Sequence, residues 1–481
     1  MSTQNTHYGR DRIADMLQDV HNLFFIGIGG ISMSSLARLA RHLGYHVAGS
    51  DRADSELAQK MREDGIPVHI GHSADHLAGY EAVIYTVAIT EDNPEYAEAR
   101  RRGLPMISRA DYLGYLMCSY RTRIGISGTH GKSTCTSMLA QIFIGAGTDP
   151  TVLSGAVLES MGGAYRIGNN EDYFLFEACE YMDSFLDFSP SLAVILNEEY
   201  EHVDYFRDMA QVRQSFRNFA DRTRMDGQPG LSVANADDAE TMRSLENFEG
   251  AVVTYAVDRE ADYRAATIHY TKDGYPAFEI FRHGEPYGSL TLHVPGYHNV
   301  YNALAAIAVT DLQGLDREAV LRALREFRGA KRRMQYRGRL DGIPVYDDYG
   351  HHPTEVEATL KGMTHMGYNR IFCVFQPHTY SRLAQLFDRF VLALNVADEV
   401  YVDDVYAARE QSIYGADAAT LASRIGEKGF YLGDREKIVE AVRARMCPGD
   451  VLVIMGAGSI EQIFDILPLT DRPEEKEEGH D

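Results

Sequence analysis

Short apolar runs of four or five residues alternate along this chain with stretches in which apolar residues recur at helical spacing. Leu23-Phe24-Phe25-Ile26 predicts a buried strand, and Leu36, Leu39, Ala40 and Leu43 predict the helix after it. Tyr45-His46-Val47-Ala48 and Ala82-Val83-Ile84-Tyr85 predict two more strands. A second segment opens on Arg123–Ile126 and continues through a helix carrying Met138, Leu139, Ile142 and Phe143. It then gives strands at Tyr173–Phe176 and Leu192–Leu196. Two β-like runs between Ile268 and Phe281 flank Asp273-Gly274, a hairpin signal, and a helix covers Asn299–Val309. A third segment gives strands at Ile343–Tyr346, Ile371–Phe375, Glu399–Val402 and Val451–Met455.

Strand–helix alternation of this kind predicts parallel, doubly wound sheets. The fold class expected is α/β in three domains. The first, residues 1–118, is Rossmann-like. The second, 119–328, is a central parallel sheet of the P-loop ATPase type with a small hairpin extension. The third, 329–481, is again Rossmann-like and ends in a charged tail from Arg472 to Asp481.

The strand Arg123–Ile126 runs into Ser127-Gly128-Thr129-His130-Gly131-Lys132-Ser133-Thr134. A Gly-rich turn between a strand and a helix gathers backbone N–H groups at a helix N-terminus and makes an anion site. Gly128, Thr129, His130, Gly131, Lys132, Ser133 and Thr134 are the expected nucleotide loop. Lys132 would reach the terminal phosphates, and Ser133 would hold Mg²⁺. The loop is a compact form, because Ile126 stands where the longer phosphate-loop pattern has its first Gly. Gly27-Ile28-Gly29-Gly30-Ile31-Ser32 also follows a strand and opens a helix, and Asp51 closes the next strand. These residues make a second site for phosphates and a ribose hydroxyl, or a plain turn.

Composition narrows the partners. Lys and Arg number 47 against 70 Asp and Glu, a net charge of −23, which argues against a nucleic-acid or membrane-surface binder. The five Cys are scattered with no C-x-x-C pair, as suits a reducing cytoplasm. No apolar run approaches the ~20 residues of a membrane span.

Other polar clusters also follow predicted strands, where ligands collect in open parallel sheets. Glu177 and His202 would face Lys132 and serve metal. Asn299 and Asn302, three apart on one helix face, would read a base edge. Arg333 lies at the second hinge and suits phosphate contact. Asp347-Asp348-Tyr349-Gly350-His351-His352 pairs carboxylates with histidines that would bind metal or a ribose. His378 and Arg382 would meet an anionic group.

These clusters, in this order and over the chain to about Ile460, resemble the Mur ligases of peptidoglycan assembly. The resemblance is carried by Phe25–Ser34, Gly71-His72, Asn93-Pro94-Glu95, Gly128–Thr134 and Asp347–Glu355. It implies an ADP-forming ligase using ATP and Mg²⁺, with UDP-N-acetylmuramate and L-alanine as the substrates of the nearest branch. Gly29, Gly30, Ser32, Met33, Asp51 and His72 would then hold the sugar nucleotide. Asn299, Asn302, Arg333 and Asp348 would join the phosphate loop around ATP, and Ser133, Glu177 and His202 would hold metal. Tyr349, His378 and Arg382 would receive the amino acid. Lys132, Glu177, His202 and His378 would be catalytic, with His378 or His202 as the base that deprotonates the amine. The setting implied is cytoplasmic, with neither nucleic acid nor membrane insertion, and a monomer or homodimer.

The chain departs from the family pattern at Ser133 for Thr, Glu198 for Ile, Glu201 for Asp, Thr379 for Arg and Val87 for a hydroxyl residue. A relative that joins a whole peptide to the same sugar nucleotide shares the scaffold. A nucleotide-switched binding module and a nicotinamide-dependent dehydrogenase are the readings from other classes.

Overall fold

The computed structural model describes residues 3–158, 161–202, 205–225, 227–408, 410 and 415–472, so most of the expected charged tail lies outside the described residues. The chain divides into two compact units, Met1–Thr254 and Tyr255–Asp481.

The first unit holds two large sheets besides the two-stranded ribbon of Arg224–Met225 and Gln228–Pro229. One is wholly parallel, in the order Val68–Ile70, His46–Asp51, Asn22–Ile26, Ala82–Tyr85, Met106–Ser108. Strand order reverses at Asn22–Ile26, the position where such sheets open a crevice at their C-terminal edge. The other sheet runs Leu231–Asn235, Leu192–Ile195, Thr122–Ser127, Tyr173–Glu177, Thr151–Leu158, all parallel, with Gly163–Arg166 antiparallel at the margin. The central strands are continuous apolar runs because helices cover both faces. Phe25, Leu36 and Tyr112 from the first sheet's layers share one buried cluster with Phe174, Phe176 and Phe216 from the second.

The second unit begins with an antiparallel meander, Tyr263–Tyr270, Pro276–Arg282 and Glu285–Thr291. Its first turn is the one expected at Asp273-Gly274, where Gly274 takes a φ of +79°. The helix His298–Leu312 follows and is buried along most of its length. The last sheet runs Gly429–Tyr431, Glu399–Val402, Ile371–Phe375, Val451–Met455, Ile343–Asp348 in parallel. Gln335–Leu340 and Leu469–Thr470 are antiparallel beyond them. Alternation along Ile371–Phe375 sends Ile371, Cys373 and Phe375 to one core, and Phe372 and Val374 to the core on the opposite face. Among the described residues, no helix is long and apolar enough to cross a membrane.

Candidate functional site

The phosphate loop forms as its glycines require. Gly131 takes φ +86°, a left-handed conformation open to glycine, and places the helix Lys132–Gly145 directly behind the turn. Asn197 latches the loop to the neighbouring strand end. Its Oδ1 accepts the His130 N–H at 2.8 Å, its Nδ2 donates to the His130 carbonyl at 3.1 Å, and its own carbonyl accepts the Thr129 N–H at 3.0 Å. Thr129 Oγ1 in turn accepts the Glu199 N–H at 2.8 Å.

Lys132 folds back over this loop. Its ammonium donates to the carbonyls of Gly128 and Thr129 and to Glu180, whose Oε2 is 3.1 Å away. Glu180 is 2% exposed and also faces His202 Nε2 at 3.5 Å. Burial alone would raise the Glu180 carboxyl, but the Lys132 ammonium and His202 hold it below its ordinary value. Burial works to lower Lys132, and Glu180, Cys179 and Glu201 overcome it and raise the ammonium above its ordinary value.

The expected metal set of Ser133, Glu177 and His202 separates into two groups. Ser133 Oγ donates to Glu177 Oε2 at 3.0 Å, while Glu177 Oε1 accepts from Ser154 Oγ at 3.0 Å and from the Gly155 N–H. The donor atoms of His202, Glu180 and Glu201 lie within 4.8 Å of one another. Hydroxyl and carboxylate oxygens suit Mg²⁺, and an imidazole is a tolerable addition, so the donor chemistry at both places fits that ion. Glu180 has no role in the sequence pattern, and Glu201 enters it only as a longer acid than the family has before His202. Glu180 reaches Lys132 because the chain turns sharply after it, with Met182 and Asp183 at φ near +53° and +54°, and no pattern of residue types announces that turn.

In the first sheet, the Gly27 and Ile28 N–H groups donate to the Ser50 carbonyl at 2.8 and 3.0 Å. The Gly29 N–H donates to Asp51 Oδ2 at 2.9 Å, and a Cβ at Gly29 would sit 2.9 Å from that same oxygen, so a side chain there would push the carboxylate aside. Asp51, expected to face a ribose, therefore braces the glycine loop itself. Ser32 Oγ accepts from Arg109 at 3.0 Å, and Gly30 lies at the start of the helix Ile31–His42. Met33 was expected at the substrate, but its side chain is 2% exposed and points into the core, because it shares the sheet-facing stripe of that helix with Leu36, Ala37 and Ala40. His72 lies beyond the strand Val68–Ile70, beside Ser50.

In the second unit, Asn299 donates to the Pro295 carbonyl at 2.7 Å and Asn302 donates to Asn299 Oδ1 at 3.0 Å. Both are buried, so these amides link to the turn before their helix and to each other. Asp347 and Asp348 do not converge as a pair. Successive strand residues point to opposite faces. Asp347 faces Arg332 and Arg337 at 3.5 Å, and Asp348 accepts the Met334 N–H at 2.8 Å and the Gly350 N–H at 2.7 Å. Burial pushes Asp348 up to about 6 despite the opposing pull of Arg333 and those two N–H groups. His352 is fully buried at the N-cap of the helix Pro353–Thr364, where Thr354 donates to it. The Glu355 side chain accepts from the His351 and His352 N–H groups. The guanidinium groups of Arg332 and Arg333 lie over the Tyr349 ring at 5.1 and 5.3 Å.

His378 and Arg382 meet directly. Arg382 Nη1 lies 3.1 Å from His378 Nδ1 and 2.5 Å from the His378 carbonyl. Arginine has only donors, so Nδ1 is the acceptor and the ring proton sits on Nε2. Burial, His351 and Arg382 together push His378 down to about 4, which keeps it neutral at pH 7. Thr379 and Ser381 both donate to Glu410, which fixes the turn between His378 and Arg382.

Three family models match the chain in succession. They are the Mur ligase family catalytic domain over residues 22–121, the Mur ligase middle domain over 126–310 and the Mur ligase glutamate ligase domain over 332–458. A UDP-N-acetylmuramate–L-alanine ligase from Caldicellulosiruptor saccharolyticus is 42% identical over 455 residues, covering 93% of this chain and 98% of that protein. The crystal structure of a UDP-N-acetylmuramate–alanine ligase from Thermotoga maritima superposes with a TM-score of 0.78 at 29% identity, over 93% of this chain and 98% of that one. A murein peptide ligase from Psychrobacter arcticus shares the fold, with a TM-score of 0.67 at 24% identity over 93% and 98% of the two chains. With three successive family models and near full-length identity of this order, the chain belongs to the Mur ligase family.

Proposed function

We propose that this protein joins L-alanine to the carboxylate of UDP-N-acetylmuramate at the expense of ATP, giving ADP and phosphate, as a cytoplasmic step of peptidoglycan synthesis. The observation that carries the reading is the phosphate loop with Lys132 paired to Glu180, in a chain 42% identical to an alanine-adding relative along nearly its whole length.

A carboxylate is a poor acyl donor because oxide is a poor leaving group. Transfer of the γ-phosphoryl group of ATP onto the carboxylate makes an acyl phosphate, the amine of alanine attacks its carbonyl carbon, and phosphate departs from the tetrahedral adduct. Such phosphoryl transfer depends on positioning and charge neutralisation. Bound Mg²⁺ would supply part of that neutralisation, held by Ser133 and Glu177, with Glu180, Glu201 and His202 as the second donor group.

The remaining steps belong to the chain's own residues. The three N–H donors of Lys132 are engaged by Gly128, Thr129 and Glu180, so phosphate oxygens would replace the two loop carbonyls while Glu180 keeps the ammonium in place. The loop N–H groups and the helix behind them favour the same anion. In the second unit, His378 presents its Nε2–H as a donor, Arg382 lies against its ring, and the His351 ring packs edge-on against both Tyr349 and His378, at 5.5 and 5.6 Å. With Nδ1 occupied by Arg382, His378 serves as a hydrogen-bond donor to the amino acid and not as the base.

The test is phosphate release from ATP with UDP-N-acetylmuramate and, in separate reactions, L-alanine, glycine, L-serine and an L-alanine-initiated tripeptide. Release driven best by L-alanine supports the reading. Release driven only by the tripeptide would assign the chain to peptide joining, and release with neither would remove the ligase assignment.

A further inference from the structure

Glu95 lies in the first turn of the helix Pro94–Arg102 and is 0% exposed. Its carboxylate gathers donors from three other elements. Ser50 Oγ donates at 2.6 Å from the end of the strand His46–Asp51. His72 Nδ1 lies 2.8 Å from Oε2, and His76 Nδ1 lies 2.7 Å from Oε1. The Ser73 N–H completes the set at 3.4 Å. A carboxylate that collects this many donors holds the proton of each imidazole on Nδ1. The carboxylate is also favourably placed at a helix N-terminus.

This hub is one residue away from the glycine loop. The Ser50 carbonyl accepts the Gly27 and Ile28 N–H groups, while the Ser50 hydroxyl reaches Glu95 and lies 3.1 Å from His72 Nδ1. The His72 side chain is about one-fifth exposed and lies just past the C-terminal end of the strand Val68–Ile70, the edge at which such sheets open a crevice.

We propose that Glu95 is a positioning residue for the sugar nucleotide: it holds the His72 proton on Nδ1, so that Nε2 is presented as an acceptor to a ribose hydroxyl or a uracil N–H. The proposal rests on the reading that this domain binds UDP-N-acetylmuramate. A carboxylate on the far nitrogen of a histidine sets which nitrogen is available to a ligand, as it does where histidine binds metal. The fixed tautomer makes His72 a reader of a nucleoside donor and not a donor to phosphate. His76 shares the carboxylate but stacks on His69 at 4.2 Å, and its role is to complete the hub.

The test compares Glu95→Gln, His72→Ala and the double variant in steady-state assays of the full chain with UDP-N-acetylmuramate, ATP and L-alanine. Glu95→Gln and His72→Ala should each raise KM for the sugar nucleotide about tenfold, the worth of one hydrogen bond. The kcat and the KM for ATP and for alanine should stay near wild type. In the His72→Ala background, Glu95→Gln should add nothing further. If Glu95→Gln raises that KM equally with and without His72, Glu95 does not act through the imidazole and the proposal fails. If His72→Ala leaves the KM unchanged, it is the assignment of the sugar nucleotide to this domain at His72 that fails. Wild-type protein labelled with ¹⁵N-histidine supplies a readout independent of whether Glu95→Gln folds. The His72 resonances, assigned by their loss in His72→Ala, should report the Nδ1–H tautomer, and an Nε2–H tautomer would overturn the proposal.

Discussion

Lys132 Nζ lies 3.1 Å from Glu180 Oε2, and this pair is the electrostatic centre of the phosphate loop. Removing the cation would leave a buried carboxylate facing His202 without its closest positive partner. Lys132→Met should therefore lose about 10²–10³-fold in kcat, as loss of a preorganised charge contact does. It should also lower the thermal midpoint, because breaking a buried pair costs up to ~3–5 kcal/mol. Adding Glu180→Gln should restore the midpoint but not the activity. Calorimetry and phosphate release on wild type and the two variants check this, and an unchanged midpoint in Lys132→Met would mean the pair contributes nothing to the fold.

Glu177 accepts hydrogen bonds from Ser133 and Ser154, an arrangement that keeps its carboxylate beside the loop hydroxyl. Glu177→Ala should raise the Mg²⁺ concentration for half-maximal velocity by about tenfold or more, as loss of a metal-orienting carboxylate does. Ser133→Ala should raise it less, since a hydroxyl is the weaker ligand. Glu201→Gln tests the second donor group in the same titration. A Glu177→Ala variant with a wild-type Mg²⁺ curve would take this carboxylate out of metal binding.

Much of this architecture is legible in the residue pattern, for physical reasons that also explain what is not. Ile371–Phe375 and Val451–Met455 are covered on both faces, so every position must be apolar, and their bounds coincide with the strands observed. The edge strand Val68–Ile70 is only three residues long, and Gln335–Leu340, next to an edge of the last sheet, carries Gln335, Arg337 and Arg339, so neither stands out from a loop in the residue pattern. The phosphate loop is legible because glycine, Lys and Ser at fixed spacing answer a local backbone demand. Glu180, Glu201 and Glu95 answer tertiary demands. Each is an acid in a turn or a first helical turn, which is where solvated acids also occur, and only the chain's path brings it to Lys132, to His202 or to two histidines. The same limit applies to Asp347 and Asp348, whose adjacency in sequence suggests a pair that the strand pleat separates.

Glu198 stands where the family pattern has Ile. It is 2% exposed and takes a hydrogen bond from Ser244 Oγ at 2.6 Å. Burial pushes its carboxyl from 4.5 up to about 9, with the Ser244 hydroxyl opposing and Asp238 and Glu240 adding to the rise. The folded protein therefore keeps a proton that the unfolded chain releases above pH 4.5. Stability from this group is fully present below pH 4.5 and is lost as pH rises toward about 9. Glu198→Gln keeps the shape without the titration, so its thermal midpoint relative to wild type should climb steadily between pH 5 and pH 9. A constant difference across that range would show that Glu198 is ionised in the fold.

His378 has the opposite linkage. Its folded value of about 4 lies below its ordinary 6.5, so the unfolded chain binds a proton that the folded protein refuses between those values. The fold should lose stability as pH falls from 6.5 toward 4, and replacing the imidazole with a neutral amide should remove that part of the acid-side slope. The kinetic consequence is sharper. Arg382 occupies the Nδ1 lone pair, so what His378 offers a substrate is the Nε2–H. Glutamine can offer an N–H from a similar distance and cannot act as a base, whereas alanine can do neither. His378→Gln should therefore keep most of kcat/KM for L-alanine, and His378→Ala should lose roughly 10- to 100-fold, the worth of one hydrogen bond to a charged group. A base role would make both variants fail together, because neither side chain accepts the proton of the amine. Equal and severe loss in the two variants, measured at pH 8 with saturating ATP and UDP-N-acetylmuramate, would return His378 to the position of general base and require the Arg382 contact to break during turnover.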